Sequence, residues 1–146
     1  MNGVKLGHVA LHAKDPATLA AFYANFLGLR ETARVTTAET GPMVLMSGRP
    51  QEEFQELALL GKEEAKHVAF KVESLAHLRR LYADAVEQQV EVLLSFDHGV
   101  TLSFYFLDPE GNACEAYWET GRPPGGNRPI DLAKPESELL ELIAGR

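Results

Sequence analysis

The chain repeats itself. Gly7-His8-Val9-Ala10-Leu11 overlays Lys66-His67-Val68-Ala69-Phe70, and the overlay continues without a gap at an offset of 59 residues. His8/His67, Val9/Val68, Ala10/Ala69, Ala17/Ala76, Leu19/Leu78, Tyr23/Tyr82 and Ala24/Ala83 are identical pairs. Chance would give roughly one such pair over a stretch of this length. A gapless match of this density means repeated structure, so each half must build the same supersecondary unit.

The local grammar of the halves agrees. The first opens with alternation from Val4 to Ala13, followed by Asp15 as helix N-cap and Pro16 as first helical residue. Leu19, Phe22, Tyr23 and Phe26 follow at i, i+3, i+4, i+7, and Gly28 stops the helix. In the second half Lys66–Val72 reads as a strand, Ser74 as N-cap, and Leu75, Leu78, Tyr82 and Ala85 as the apolar stripe of a helix. Three short strands are expected after each helix: 30–37, 42–47 and 54–60, then 90–95, 101–107 and 113–118. The order β-α-β-β-β therefore occurs twice, an α+β architecture.

The expected organisation is one domain over 1–146, with module one at about 1–62 and module two at about 63–120. A linker and short helix at 121–146 complete it. Gly121 to Pro129 holds too much Gly and Pro to continue a strand, and Leu139, Leu140, Leu142 and Ile143 mark a helix from about 135 to 144. The tail has no counterpart in the first half; it packs on its own domain, covers the site as a lid, or makes a homodimer contact.

Charge narrows the partners. The formal net charge is −7 and no run of like charges resembles a nucleic-acid arm, so neither nucleic acid nor an anionic membrane is expected. No stretch reaches the length of a spanning helix, and Cys114 is the only cysteine, which excludes a CxxC pair. A cytoplasmic protein acting on a small molecule is the expectation.

Alternate side chains share a strand face, so His8, Ala10 and His12 point one way, as do His67, Ala69 and Lys71. A single strand histidine is ordinarily a satisfied surface or core residue. Two at equivalent positions of a duplication are brought towards a common axis, which suggests a metal. The turn Asp108-Pro109-Glu110-Gly111-Asn112 predicts a hairpin in which Tyr105 stands opposite Glu115, with Cys114, Ala116 and Trp118 on the other face. A carboxylate among small apolar residues needs a partner, and a metal would supply one; a solvated edge position is the alternative. At the repeat offset from Glu115 stands Glu56.

His-Val-Ala-Leu at 8–11, His-Val-Ala-Phe at 67–70, and Tyr105-Phe106-Leu107-Asp108-Pro109-Glu110-Gly111-Asn112 leading to Glu115 together resemble the vicinal oxygen chelate superfamily. It contains glyoxalase I, extradiol dioxygenases, fosfomycin-resistance transferases and bleomycin-binding proteins. The resemblance covers about residues 4–119 and implies paired βαβββ modules forming a cup-shaped mixed sheet. Asp97-His98-Gly99-Val100-Thr101 with Tyr105 is most similar to the single-domain extradiol dioxygenase-like members.

That resemblance implies a non-heme Fe(II)- or Mn(II)-dependent oxidoreductase cleaving a small aromatic diol, with His8, His67 and Glu115 as ligands. Tyr105 and His98 would be the catalytic side chains, and His12, Gln55 and Ser103 would line the substrate pocket. The ring-cleaving enzymes usually add an acid/base histidine on the fourth strand, where this chain reads Phe54-Gln55-Glu56-Leu57-Ala58-Leu59. Glu56 opens a second reading, a glyoxalase-like isomerase with Zn(II) or Ni(II) held by His8, Glu56, His67 and Glu115. A binding or resistance protein without turnover is the third.

Overall fold

The computed structural model describes residues 3–146; residues 1 and 2, at the start of the expected first module, lie outside the described residues. The chain separates into two compact units, Leu6–Ala69, and Phe70–Arg146 with the residues up to Lys5. Each contains the β-α-β-β-β order that the duplication predicts.

In the Leu6–Ala69 unit, β1 (Lys5–His12) leads to α1 (Pro16–Leu27), then β2 (Arg30–Thr37), β3 (Gly41–Ser47) and β4 (Leu57–Leu60). The strands lie in the order β2-β3-β4-β1, with β1 parallel to β4 and the other pairs antiparallel, a mixed sheet. Asp15 caps α1 by accepting from the Thr18 N–H, and Gly28 closes it in the left-handed region at φ 74°. The stripe of α1 is rotated from its sequence reading. Ala20, Leu19 and Tyr23 meet Ala13, Val44, Met46 and Leu59, whereas Phe22 and Phe26 are exposed and stack on each other. The small Ala20 lets the helix approach the sheet closely, which turns the large rings outward. The opposite face of the sheet carries Ala10, Leu45, Ala58 and Leu60, joined by Met43 and Phe54.

In the Phe70–Arg146 unit, β5 (His67–Val72), which begins before the boundary, is followed by α2 (Leu75–Glu87), β6 (Glu91–Asp97), β7 (Thr101–Leu107) and β8 (Ala113–Glu119). A two-residue strand β9 (Arg128–Pro129) and α3 (Glu136–Ala144) complete it. The strand order is β5-β8-β7-β6-β9. Leu75, Leu78, Ala85 and Tyr82 of α2 pack with Leu102, Phe104, Ala116 and Trp118, as their spacing predicts. Leu139 and Ile143 of α3 join this core, so the terminal helix packs on its own unit, while Leu140 and Leu142 face solvent. Burial of side chains this size stabilises by about 1.5–3 kcal/mol each, enough to anchor a nine-residue helix that would not persist alone.

Among the described residues no helix is long and apolar enough to cross a membrane.

Candidate functional site

His8 lies in the middle of β1 and is 6% exposed, on the face that it shares with Ala10 and His12. A buried imidazole depends on a few specific partners rather than on water. His67 opens β5, and its Nδ1 lies 2.7 Å from the Ala65 carbonyl oxygen. A carbonyl only accepts, so Nδ1 carries the proton, and in the neutral ring Nε2 presents a lone pair. The short 3₁₀ turn Glu63–Ala65 places that carbonyl.

His67 Nε2 stands 3.1 Å from His8 Nε2, with the rings steeply inclined at 79°. Two ring nitrogens each about 2.1 Å from one ion, at right angles around it, would be about 3.0 Å apart. The pair thus has the spacing of adjacent ligands, and the Ala65 carbonyl is the kind of outer partner that orients a ligating histidine. Both histidines belong to the Leu6–Ala69 unit, and Glu115, the third donor expected from the sequence, belongs to the Phe70–Arg146 unit.

Glu115 is 3% exposed on β8, and the β7–β8 register sets it directly opposite Tyr105, as the hairpin turn predicts. Tyr105 is half-buried. Burial pushes its phenol pKa well above the ordinary value, and the charge and hydrogen bond of Glu115 add to this. The group is therefore a neutral hydroxyl donor throughout the physiological range. His98 follows β6 and presents Nε2 to the Tyr105 hydroxyl at 3.1 Å, with Glu115 Oε2 at 3.8 Å. Phe96 covers both rings, its centroid 5.5 Å from that of His98 and 6.2 Å from that of Tyr105. The result is a proton-sharing chain, His98–Tyr105–Glu115, with an aromatic wall.

Other expected residues are more scattered. Ser103 is fully buried two positions before Tyr105 on β7, paired with Tyr117 in the register. His12, at the end of β1, is exposed, and Gln55 is half-buried in the loop before β4. Glu56 directs its carboxylate into the loop between β3 and β4: Oε1 accepts from Ser47 Oγ (3.1 Å) and the Gly48 N–H (2.9 Å), and Oε2 from Arg49 Nε (3.1 Å). The Gly48 N–H bond, with those of Ser47 and Arg49, holds its pKa below the ordinary value against some desolvation.

Two features escaped sequence reasoning. Asn127 Oδ1 accepts from His98 Nδ1 at 2.7 Å, from a segment that reads only as linker. Asp97, 2% exposed, accepts from Arg122 Nη2 (2.5 Å) and Arg146 Nη1 (2.9 Å). Burial raises the Asp97 pKa, but the bonds from Arg122, the Gly99 N–H and Arg146 outweigh it and hold the group below its ordinary value. An acidic residue beside a candidate histidine, with arginines far along the chain, is too common a pattern to signal either.

The sequence model of the Glyoxalase/Bleomycin resistance protein/Dioxygenase superfamily matches residues 5–116. The chain belongs to this superfamily. No curated protein matches it significantly. Among solved structures, superfamily likeness extends to the 2,3-dioxygenase LapB from Pseudomonas sp. KL28, at 22% identity and TM-score 0.66, covering 86% of this chain and 46% of LapB. The Mn(II)-bound glyoxalase from Novosphingobium aromaticivorans is 18% identical, TM-score 0.63, with 90% and 44% covered. The hypothetical protein BH1468 from Bacillus halodurans C-125 is 15% identical, TM-score 0.63, with 85% and 100% covered. At these identities the likeness is one of fold, and the chain spans less than half the length of LapB and of that glyoxalase. The fold class is that of a superfamily member, α+β with a mixed sheet and, among the described residues, three α-helices.

Proposed function

We propose that this protein is a metal-dependent extradiol-type dioxygenase of a small aromatic diol, with His8, His67 and Glu115 holding one divalent ion, Fe(II) or Mn(II). The observation that carries the choice is Glu56. Its carboxylate is engaged by Ser47, Gly48 and Arg49. A three-ligand set of two neutral imidazoles and one carboxylate leaves a divalent ion with one net positive charge, suited to a diol that binds as an anion. When bound, the ion would supply Lewis acidity and a place for both diol oxygens and O₂.

The chain's own groups divide the remaining work. Tyr105, neutral and directed at Glu115 and His98, donates a hydrogen bond to a substrate oxygen beside Glu115. His98 Nε2 takes a proton from the substrate hydroxyl and returns it during turnover, the role of a general acid/base, while Tyr105 keeps its own proton and only shares it in hydrogen bonds. Strand β4, Leu-Ala-Leu-Leu, has no titratable side chain, so proton handling falls to this pair. Phe96 shields it from water and offers a face to an aromatic ring.

The test is anaerobic loading with Fe(II), followed by oxygen and a panel of catechols. Ring-opened yellow product is expected; full metal occupancy with no product from any catechol would overturn the reading. The glyoxalase-like alternative with Zn(II) or Ni(II) requires Glu56 to leave its loop partners, and loss of metal affinity in Glu56→Gln would favour it.

A further inference from the structure

The segment 120–130 grips the turn that carries His98. Arg128 and Pro129 of β9 pair with Asp97 and Phe96 of β6, and the Ile130 N–H donates to the Ser95 carbonyl. The Gly125 N–H donates to the His98 carbonyl at 2.8 Å, while the His98 N–H donates to the Thr101 carbonyl at 2.8 Å. Gly99 has φ +79°, and a Cβ there would stand 2.4 Å from the Pro123 carbonyl oxygen, so the tail lies directly against the turn. His98 is thereby fixed at its backbone on both sides.

The side chain is fixed as well. Asn127 Oδ1 lies 2.7 Å from His98 Nδ1, and an amide oxygen only accepts. Nδ1 therefore carries a proton. In the neutral imidazole the other nitrogen, Nε2, is then a bare acceptor, and it is the one facing the Tyr105 hydroxyl at 3.1 Å. The single Tyr105 proton has two acceptors in reach, the Glu115 carboxylate and His98 Nε2. The opposite tautomer would aim an N–H at Tyr105 and remove the acceptor.

We propose that Asn127 is a positioning residue that holds His98 as its Nδ1–H tautomer, so that Nε2 faces Tyr105 as a proton acceptor. Asn127 lies beyond residues 5–116, the stretch shared with the superfamily, so this assigns the C-terminal segment a part in the site. The catalytic meaning of the tautomer rests on the function proposed above; the tautomer itself does not.

The experiment is imidazole ¹H–¹⁵N NMR on the metal-free, full-length protein, at a pH where the ring is neutral. The His98 signals are identified by their absence in His98→Gln. Nδ1 should appear protonated and Nε2 unprotonated in the wild type. Asn127→Asp, which keeps an acceptor oxygen, should retain that pattern, and Asn127→Leu should lose it as the major form. Nε2–H as the main wild-type form overturns the proposal, as does an unchanged pattern in Asn127→Leu. Should Asn127→Leu not fold, the wild type and Asn127→Asp decide the matter. No oxygen or metal enters the measurement, so a failure here is separable from a failure of dioxygenase turnover.

Discussion

Tyr105 stands directly opposite Glu115 in the β7–β8 ladder, a pairing that gives one buried carboxylate two potential duties, holding an ion and accepting from a phenol. The duties are separable by mutation. Tyr105→Phe keeps the ring and its packing and removes only the hydroxyl. Divalent-metal affinity measured by calorimetry should stay within about threefold of wild type, while turnover falls by roughly 10²–10⁴, the usual contribution of a positioned acid/base. Equal losses of binding and turnover would mean that the hydroxyl serves the ligand set instead.

Glu56 separates the two leading chemistries. If it only ties the β3–β4 loop, Glu56→Gln should leave metal affinity unchanged, whereas Glu115→Gln and His67→Ala should each lower it by tenfold or more. The loop role has its own pH signature. The folded pKa of Glu56 is held below the ordinary value of 4.5, so its stabilising contribution is present above that value and is lost as pH falls through the folded pKa. Glu56→Gln should therefore lose less stability than wild type between about pH 4.5 and 3, in urea melts at stepped pH. The side chain is about a third exposed, so the effect is small, under about 1 kcal/mol.

The duplication makes the fold readable, because it supplies two independent readings of each element. Strands 30–37 and 101–107 fall where their residues predict, and Asp15 and Ser74 cap their helices. The Tyr105–Glu115 register follows from the turn at 108–112 because a tight hairpin leaves one pairing available. Side-chain direction outside the strands is not so constrained. Glu56 precedes β4, where no ladder fixes its rotamer, and a nearby N–H and guanidinium take its carboxylate. The Asn127–His98 bond is illegible for a different reason: nothing local in a Gly- and Pro-rich segment indicates which distant turn it will cover.

Asp97 offers a test of how the tail is held. Two guanidiniums, each about a fifth exposed, converge on a carboxylate that is 2% exposed. Asp97→Asn leaves both cations facing a neutral amide, a loss of about 3 kcal/mol at the lower end of the range for broken buried pairs. In a chain of this length that lowers the melting temperature by roughly 6–12 °C at pH 7. Because the folded pKa of Asp97 is depressed, the wild type should lose this advantage as the pH falls below about 4, and the two melting curves should converge. A gap that does not narrow at all between pH 5 and pH 3 would assign the effect to packing rather than charge.

Gly99 tests whether tail contact and site geometry are linked. Alanine there is strained at φ +79° and meets the Pro123 carbonyl at 2.4 Å, with the Gly125 N–H no farther than 2.5 Å, and backbone atoms cannot swing aside as a side chain can. Gly99→Ala should cost about 1–3 kcal/mol and push segment 123–127 outward. Cleavage within 123–127 by a protease of broad specificity such as subtilisin should accelerate, and the hydrogen exchange of the Gly125 amide, which is bonded to the His98 carbonyl, should rise. Metal affinity should be spared, since neither histidine ligand nor Glu115 touches this turn through its backbone. Loss of turnover with metal binding intact would then trace to His98 alone, because the turn that moves is the one that aims its Nε2 at Tyr105.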